Sequence, residues 1–141
     1  MHAASAVAVA ATFIWLGMVL AISFLEAPLK FRAPGVTLQV GLGIGRLVFR
    51  ALNSCEVVLG AVAVIALLVG GQSYATLVAV IVAAVMLAGQ LLFVRPALTR
   101  RSDAVLAGHE GPRSHAHFVY VGLEAVKVVA LICAGVLLLT A

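Results

Sequence analysis

Apolar residues fill four long stretches of the chain, at about 5–25, 47–69, 74–94 and 118–139, and polar residues collect between them. Each stretch matches the roughly 20 residues that an α-helix needs to cross a hydrocarbon core of about 30 Å. The first run stops before Pro28 and Pro34-Gly35, which break helices, and Glu26, Lys30 and Arg32 mark an interface there. A second helical pattern starts near Thr37, a candidate N-cap, and runs to Val69 with no breaker other than glycine. At 1.5 Å per residue that pattern reaches about 50 Å, longer than the hydrocarbon core. Either residues 37–45 therefore lie outside or along the interface, or the helix bends at Gly41, Gly43 and Gly45. Gly70-Gly71-Gln72-Ser73 reads as a tight, uncharged turn, and the third run ends at Arg95-Pro96. Residues 97–117 form the one clearly polar loop, with Arg100, Arg101, Asp103, His109, Glu110, Arg113, His115 and His117; residues 102–106 suit a short helix. The expected fold is all-α: a four-helix transmembrane bundle, one membrane domain over residues 1–141, with loops at about 26–46 and 95–117. No internal repeat relates the first two spans to the last two, so an inverted-repeat transporter has no support.

Composition agrees with lipid as the solvent. The chain is 65% hydrophobic and 10% charged, with a mean hydropathy of +1.24. Soluble domains average about 45–50% apolar and about 25% charged. The first run lacks a basic leader, is longer than a usual signal-peptide core and ends in a poor cleavage site, so it reads as a mature helix. The net charge of +4 does not point to nucleic acid, because the basic residues flank apolar runs and no basic-aromatic surface accompanies them. Lys30, Arg32, Arg46, Arg50, Arg95, Arg100, Arg101 and Arg113, eight of the nine basic residues, fall after spans one and three. The positive-inside rule then gives a multi-pass cell-membrane protein with both charged loops in the cytoplasm and both termini outside. Tyr74 and Tyr120 fall near the expected interfaces, as aromatic belt residues do, whereas Trp15 is mid-span. Cys55 and Cys133 lie in apolar runs without metal or disulfide spacing and read as packed thiols. Four short helices enclose little volume, so a homo-oligomer is expected within the lipid bilayer.

Charge inside the spans is the strongest functional signal. Glu56, Glu124 and Lys127 interrupt otherwise apolar helices, where a charge costs at least about 2.5–3.5 kcal/mol and must face a partner, a cavity or a ligand. Helical spacing lines them up: His117, Tyr120, Glu124 and Lys127 share one face, Arg46, Arg50, Asn53 and Glu56 another. Thr12, Trp15, Val19, Ser23, Glu26 and Lys30 follow a similar period on span one, and span three contributes Gln90. Counting from Arg46 and His117, Glu56 and Lys127 both lie about 15 Å deep and Glu124 about 10 Å. Two ion pairs are expected across the bundle, Glu56–Lys127 and Arg50–Glu124, with Glu26, Arg46 and His117 closing the mouth.

Three functions fit these residues. The leading one is a cytoplasm-facing site, built from the nine polar residues Glu26, Arg46, Arg50, Asn53, Glu56, His117, Tyr120, Glu124 and Lys127, that binds or transports an ion or a small anionic molecule. A membrane redox, metal or haem enzyme is the second. A structural or interaction protein whose buried charges only set helix pairing is the third. No cofactor or metal is assigned: no Glu-x-x-His pair occurs, and the neighbouring cations compete with a metal. Gly41-Leu42-Gly43-Ile44-Gly45 lacks the βαβ setting of a nucleotide loop, and its GxxxG spacing suits helix packing or a bend.

Ser23-Phe24-Leu25-Glu26-Ala27-Pro28-Leu29-Lys30-Phe31, Gly43-Ile44-Gly45-Arg46-Leu47-Val48-Phe49, Leu52-Asn53 and Glu56 together resemble a family of small uncharacterised bacterial membrane proteins with four spans. The resemblance covers about residues 23–56, with a looser match at His117 and Glu124 to Lys127. It implies the four-span fold and brings no activity with it. A second likeness is to the four-span protoporphyrinogen oxidases, which are also short and use buried His and Arg; span one here holds no histidine.

Overall fold

A computed structural model describes residues 1–108 and 115–141. His109, Glu110 and Arg113 of the expected loop lie outside the described residues. Four helices account for nearly all the rest: α1 (Ala3–Arg32), α2 (Leu38–Gly70), α3 (Tyr74–Leu106) and α4 (His115–Thr140). All four are long and apolar enough to cross a membrane, and the described residues hold no strand. The chain is an all-α, four-helix, multi-pass membrane protein.

The helices outrun the apolar stretches at the end of the bundle that carries the basic residues. α1 passes through Pro28 to Arg32, and α3 passes through Pro96 to Leu106. The expected loops therefore shrink, and residues 95–106 are helix rather than loop. Both prolines follow a π-helical stretch, Leu20–Glu26 in α1 and Gln90–Val94 in α3. The Ala27 N–H bonds to Ile22 and the Arg95 N–H to Gln90, each five residues back. A proline ring normally clashes with the carbonyl four residues earlier. Widening the preceding turn shifts that carbonyl, so the helix continues. Such turns also recur at functional sites, and here they carry Ser23 and Gln90.

Side chains cap the starts of α1, α2 and α3. Thr37 Oγ1 accepts the Val40 N–H at 3.1 Å, as its position after Pro34-Gly35 predicts. Ser73 Oγ accepts the Thr76 N–H at 3.3 Å, after Gly71 has turned the chain in the left-handed region at φ 62°. His2 accepts the Ser5 N–H at 3.5 Å, and Gln72 bonds to Ser5 Oγ, tying α1 to the α2–α3 turn.

The helices form a ring. α1 packs most closely on α2 and α3 on α4; α1–α4 and α2–α3 contacts close it. The packed core holds Ala8, Trp15, Val19, Ala63, Val80, Ala83, Leu131 and Ala134, all fully buried. Small residues let the backbones approach, which is the main packing device in lipid. Gly60 faces the Trp15 ring, where an added Cβ would sit 3.3 Å from it, and Gly135 faces Phe13 at 2.6 Å. Gly41 and Gly45 are packing positions too. A Cβ at Gly41 would strike the Phe31 ring and one at Gly45 would meet Lys30 Nζ at 3.1 Å. Leu47, Val69 and Phe93, each more than two-thirds exposed, belong to the outer apolar surface that lipid covers. Cys55 and Cys133 also face outward, contrary to the packed thiols expected from their apolar settings. Each sits one residue before a buried position, Glu56 or Ala134, and one residue turns a helix by about 100°.

Candidate functional site

Glu56, Glu124 and Lys127 meet in the middle of the bundle. Lys127 Nζ lies 2.5 Å from Glu56 Oε1 and 2.5 Å from Glu124 Oε1, and it donates to Gln90 Oε1 at 2.8 Å. An ammonium carries three protons, so each has an acceptor. Glu56 Oε1 also accepts the Trp15 indole N–H at 2.9 Å. Glu124 Oε2 accepts the Ser23 hydroxyl at 2.5 Å, while its Oε1 accepts from Gln90 Nε2 at 3.2 Å. Gln90 Nε2 reaches the Tyr120 carbonyl as well, at 3.3 Å. Every helix therefore supplies a partner: Trp15 and Ser23 from α1, Glu56 from α2, Gln90 from α3, Glu124 and Lys127 from α4. Two carboxylates against one ammonium leave the cluster formally one negative charge in excess. Glu56 Oε2 is buried with no hydrogen-bond partner among the described residues, as are Thr12 Oγ1 and Asn53 Oδ1.

The expected Glu56–Lys127 pair is thus present. The expected Arg50–Glu124 pair is not, because Lys127, Gln90 and Ser23 occupy Glu124. Arg50 is exposed and lines a smaller cavity of about 330 Å³ between α2 and α3, with Asn53, Arg46 and Arg95. The stripe reading fails there because six residues at about 100° each put Glu56 some 120° round the helix from Arg50.

Above the cluster, at the basic end, lies a cavity of about 490 Å³ lined by all four helices. Arg46, His117, Tyr120 and Glu124 of the expected site line it, joined by Lys30, Arg95, Arg101, Phe31 and Phe49. Glu124 belongs to both the cavity wall and the buried cluster. Glu56 and Lys127 do not line the cavity; they are buried beneath it, and Glu124 is the cluster carboxylate that reaches its wall. Glu26 also stays out of the lining and pairs with Lys30 at 3.6 Å. Arg46 pairs with Asp103 at 2.8 Å, fastening α2 to the extension of α3. Tyr120 is buried, not a belt residue; its ring meets Phe49 edge to face at 5.9 Å.

Arg95 differs from the other cations. Its guanidinium lies 5.6 Å from the Phe49 ring centre and 5.3 Å from that of Tyr120, and it donates to the Tyr120 hydroxyl at 3.4 Å. Among the described residues no carboxylate pairs with it. Lys30 sits similarly over Phe31 and Phe49, at 5.6 and 5.8 Å. Cation–π contact holds a charge in place without neutralising it. In the sequence Lys30 and Arg95 mark an interface and the topology, and Phe49 enters only with the resemblance; Trp15 and Ser23 lie on the span-one stripe and Gln90 on span three, with no partner assigned. No group of three metal-ligating side chains forms among the described residues.

Fold and site together define a four-span integral membrane protein with a sealed acid–base cluster under a basic, aromatic-walled cavity. No protein-family model, curated protein or solved structure matches the chain.

Proposed function

We propose that the basic cavity binds a small anionic molecule on the cytoplasmic side of the cell membrane. The observation that carries this reading is Arg95, a cation inside the cavity, fixed by two aromatic faces and lacking a carboxylate partner among the described residues. Lys30, Arg46 and Arg101 add positive potential around it, against Glu124 as the lining carboxylate. The clustering of Lys and Arg at this end supports a cytoplasmic mouth and termini on the opposite side. The remainder of the bundle is packed with fully buried alanine, valine and leucine, which favours binding over conduction through one chain. Transport would call for rearrangement or for a homo-oligomer. The test is calorimetry of the protein in neutral detergent with phosphate and short carboxylates. Binding by the wild type that falls at least tenfold in Arg95→Gln supports the reading; binding indifferent to that change, or no binding, contradicts it.

A second role belongs to Glu56 and Lys127. Their network draws on all four helices, and neither of these two side chains lines the cavity, which favours a register-setting device over a ligand site. Glu124 links the two roles.

A further inference from the structure

We infer that the anion is amphipathic: a single-chain carboxylate that enters sideways from the bilayer between α1 and α4. This rests on the anion-binding reading and adds a ligand class and a route. The cavity is walled by Phe24, Phe31, Phe49 and Tyr120, so it offers far more to a hydrocarbon chain than to a bare ion. Its volume of about 490 Å³ falls in the range of small-molecule sites, about 300–1,000 Å³.

The route follows from the π-helical turn of α1. Upstream, α1 buries Ala8, Ala11, Trp15 and Val19, whereas no residue of Leu20–Glu26 is buried. Ser23 still bonds to Glu124 on α4, so the exposed stretch leaves room between α1 and α4 only on the basic side of that bond, where the cavity lies. Phe24 on α1 and Val121 on α4 both line the cavity and are 43% and 42% exposed. They flank an opening toward the acyl-chain region, below the layer where Lys30 and Arg46 lie. A chain lying along Phe24 and Val121 would bring its head to Arg95.

The head is assigned by charge. Lys30 and Arg46 are already opposed by Glu26 and Asp103. Arg95 is left with one unit of charge among the described carboxylates and a planar fork of donors, which a planar carboxylate matches in two parallel bonds.

Native mass spectrometry in neutral detergent with acetate, hexanoate, octanoate and decanoate, beside decanol, tests this. One carboxylate should bind per chain, about fourfold tighter for each buried methylene. Decanol should bind at least tenfold more weakly than decanoate. Arg95→Gln should erase that difference while keeping the chain-length trend, and Val121→Trp at the rim should weaken decanoate but not acetate. If acetate binds as well as decanoate, the amphipathic assignment is wrong and the small-anion reading survives. If no carboxylate of any length binds and phosphate does not either, both fail. Equal binding of decanol and decanoate removes the head-group assignment, and an unaffected Val121→Trp removes the lateral route.

Discussion

Replacing Lys127 with methionine removes an ammonium that satisfies three acceptors in a site without solvent. Methionine fills a similar volume, so packing is largely kept and the loss is electrostatic. Glu56 and Glu124 then face each other without a cation, and Gln90 Oε1 loses its donor. Two ordinary interhelical hydrogen bonds, to Glu56 and Gln90, at about 0.6 kcal/mol each would total about 1 kcal/mol. Stranding buried carboxylates raises the expected loss to about 3–5 kcal/mol. Equilibrium unfolding in mixed micelles, followed by Trp15 fluorescence, measures it, since Trp15 is the sole tryptophan and donates to Glu56. Glu56→Gln is the control. Its amide oxygen can still accept from Trp15 and Lys127, and the cluster then holds one carboxylate and one ammonium. That variant should stay within about 1.5 kcal/mol of the wild type. A Lys127→Met loss below about 1 kcal/mol, the worth of a solvent-exposed ion pair, would refute a sealed cluster.

Trp15→Phe removes the indole N–H but keeps a ring against Gly60, and should cost about 1–3 kcal/mol by the same unfolding measurement followed by circular dichroism; no loss would mean the 2.9 Å bond to Glu56 is not made. Gly41→Leu drives a side chain into Phe31 and should cost about 1–3 kcal/mol as overpacking while lowering anion affinity; unchanged stability and affinity would show that Phe31 does not lie on α2. Cys55 and Cys133 should resist both charged and membrane-soluble maleimides in bilayers and react with both once the protein is unfolded, because both face lipid, where the thiolate does not form; reaction of the folded protein with the charged reagent would place them at water. A charge swap, Glu56→Lys with Lys127→Glu, should fail to restore stability, because it sets an ammonium beside the Trp15 N–H donor and a second carboxylate beside Glu124 on the same face of α4.

Much of this arrangement is written in helical arithmetic. A rise of 1.5 Å per residue sets Glu56 and Lys127 at one depth, and the structure joins them. His117, Tyr120 and Glu124 share a face and do meet at the cavity. The same arithmetic fails for Arg50 because a stripe ten residues long drifts round the helix. Pro28 and Pro96 read as breakers, since the sequence does not announce the widened turns that let each helix continue. Trp15 looks like an ordinary apolar residue until a carboxylate is found opposite its N–H. Lys30 and Arg95 looked like markers of topology, and only the fold shows them turned inward over Phe49 and Tyr120. What the chain hides is the pairing of polar points across helices, because that depends on helix rotation, which spacing within one helix leaves open.

The most direct test is nitrogen–carbon dipolar coupling from Lys127 Nζ to the side-chain carboxyl carbons, by solid-state magnetic resonance on the protein in bilayers. Strong coupling to both Glu56 and Glu124, with each lost in the corresponding substitution, Glu56→Leu or Glu124→Leu, is the predicted result. A Lys127 ammonium coupled to neither carboxylate would contradict the shared buried cluster on which the fold and the cavity floor depend.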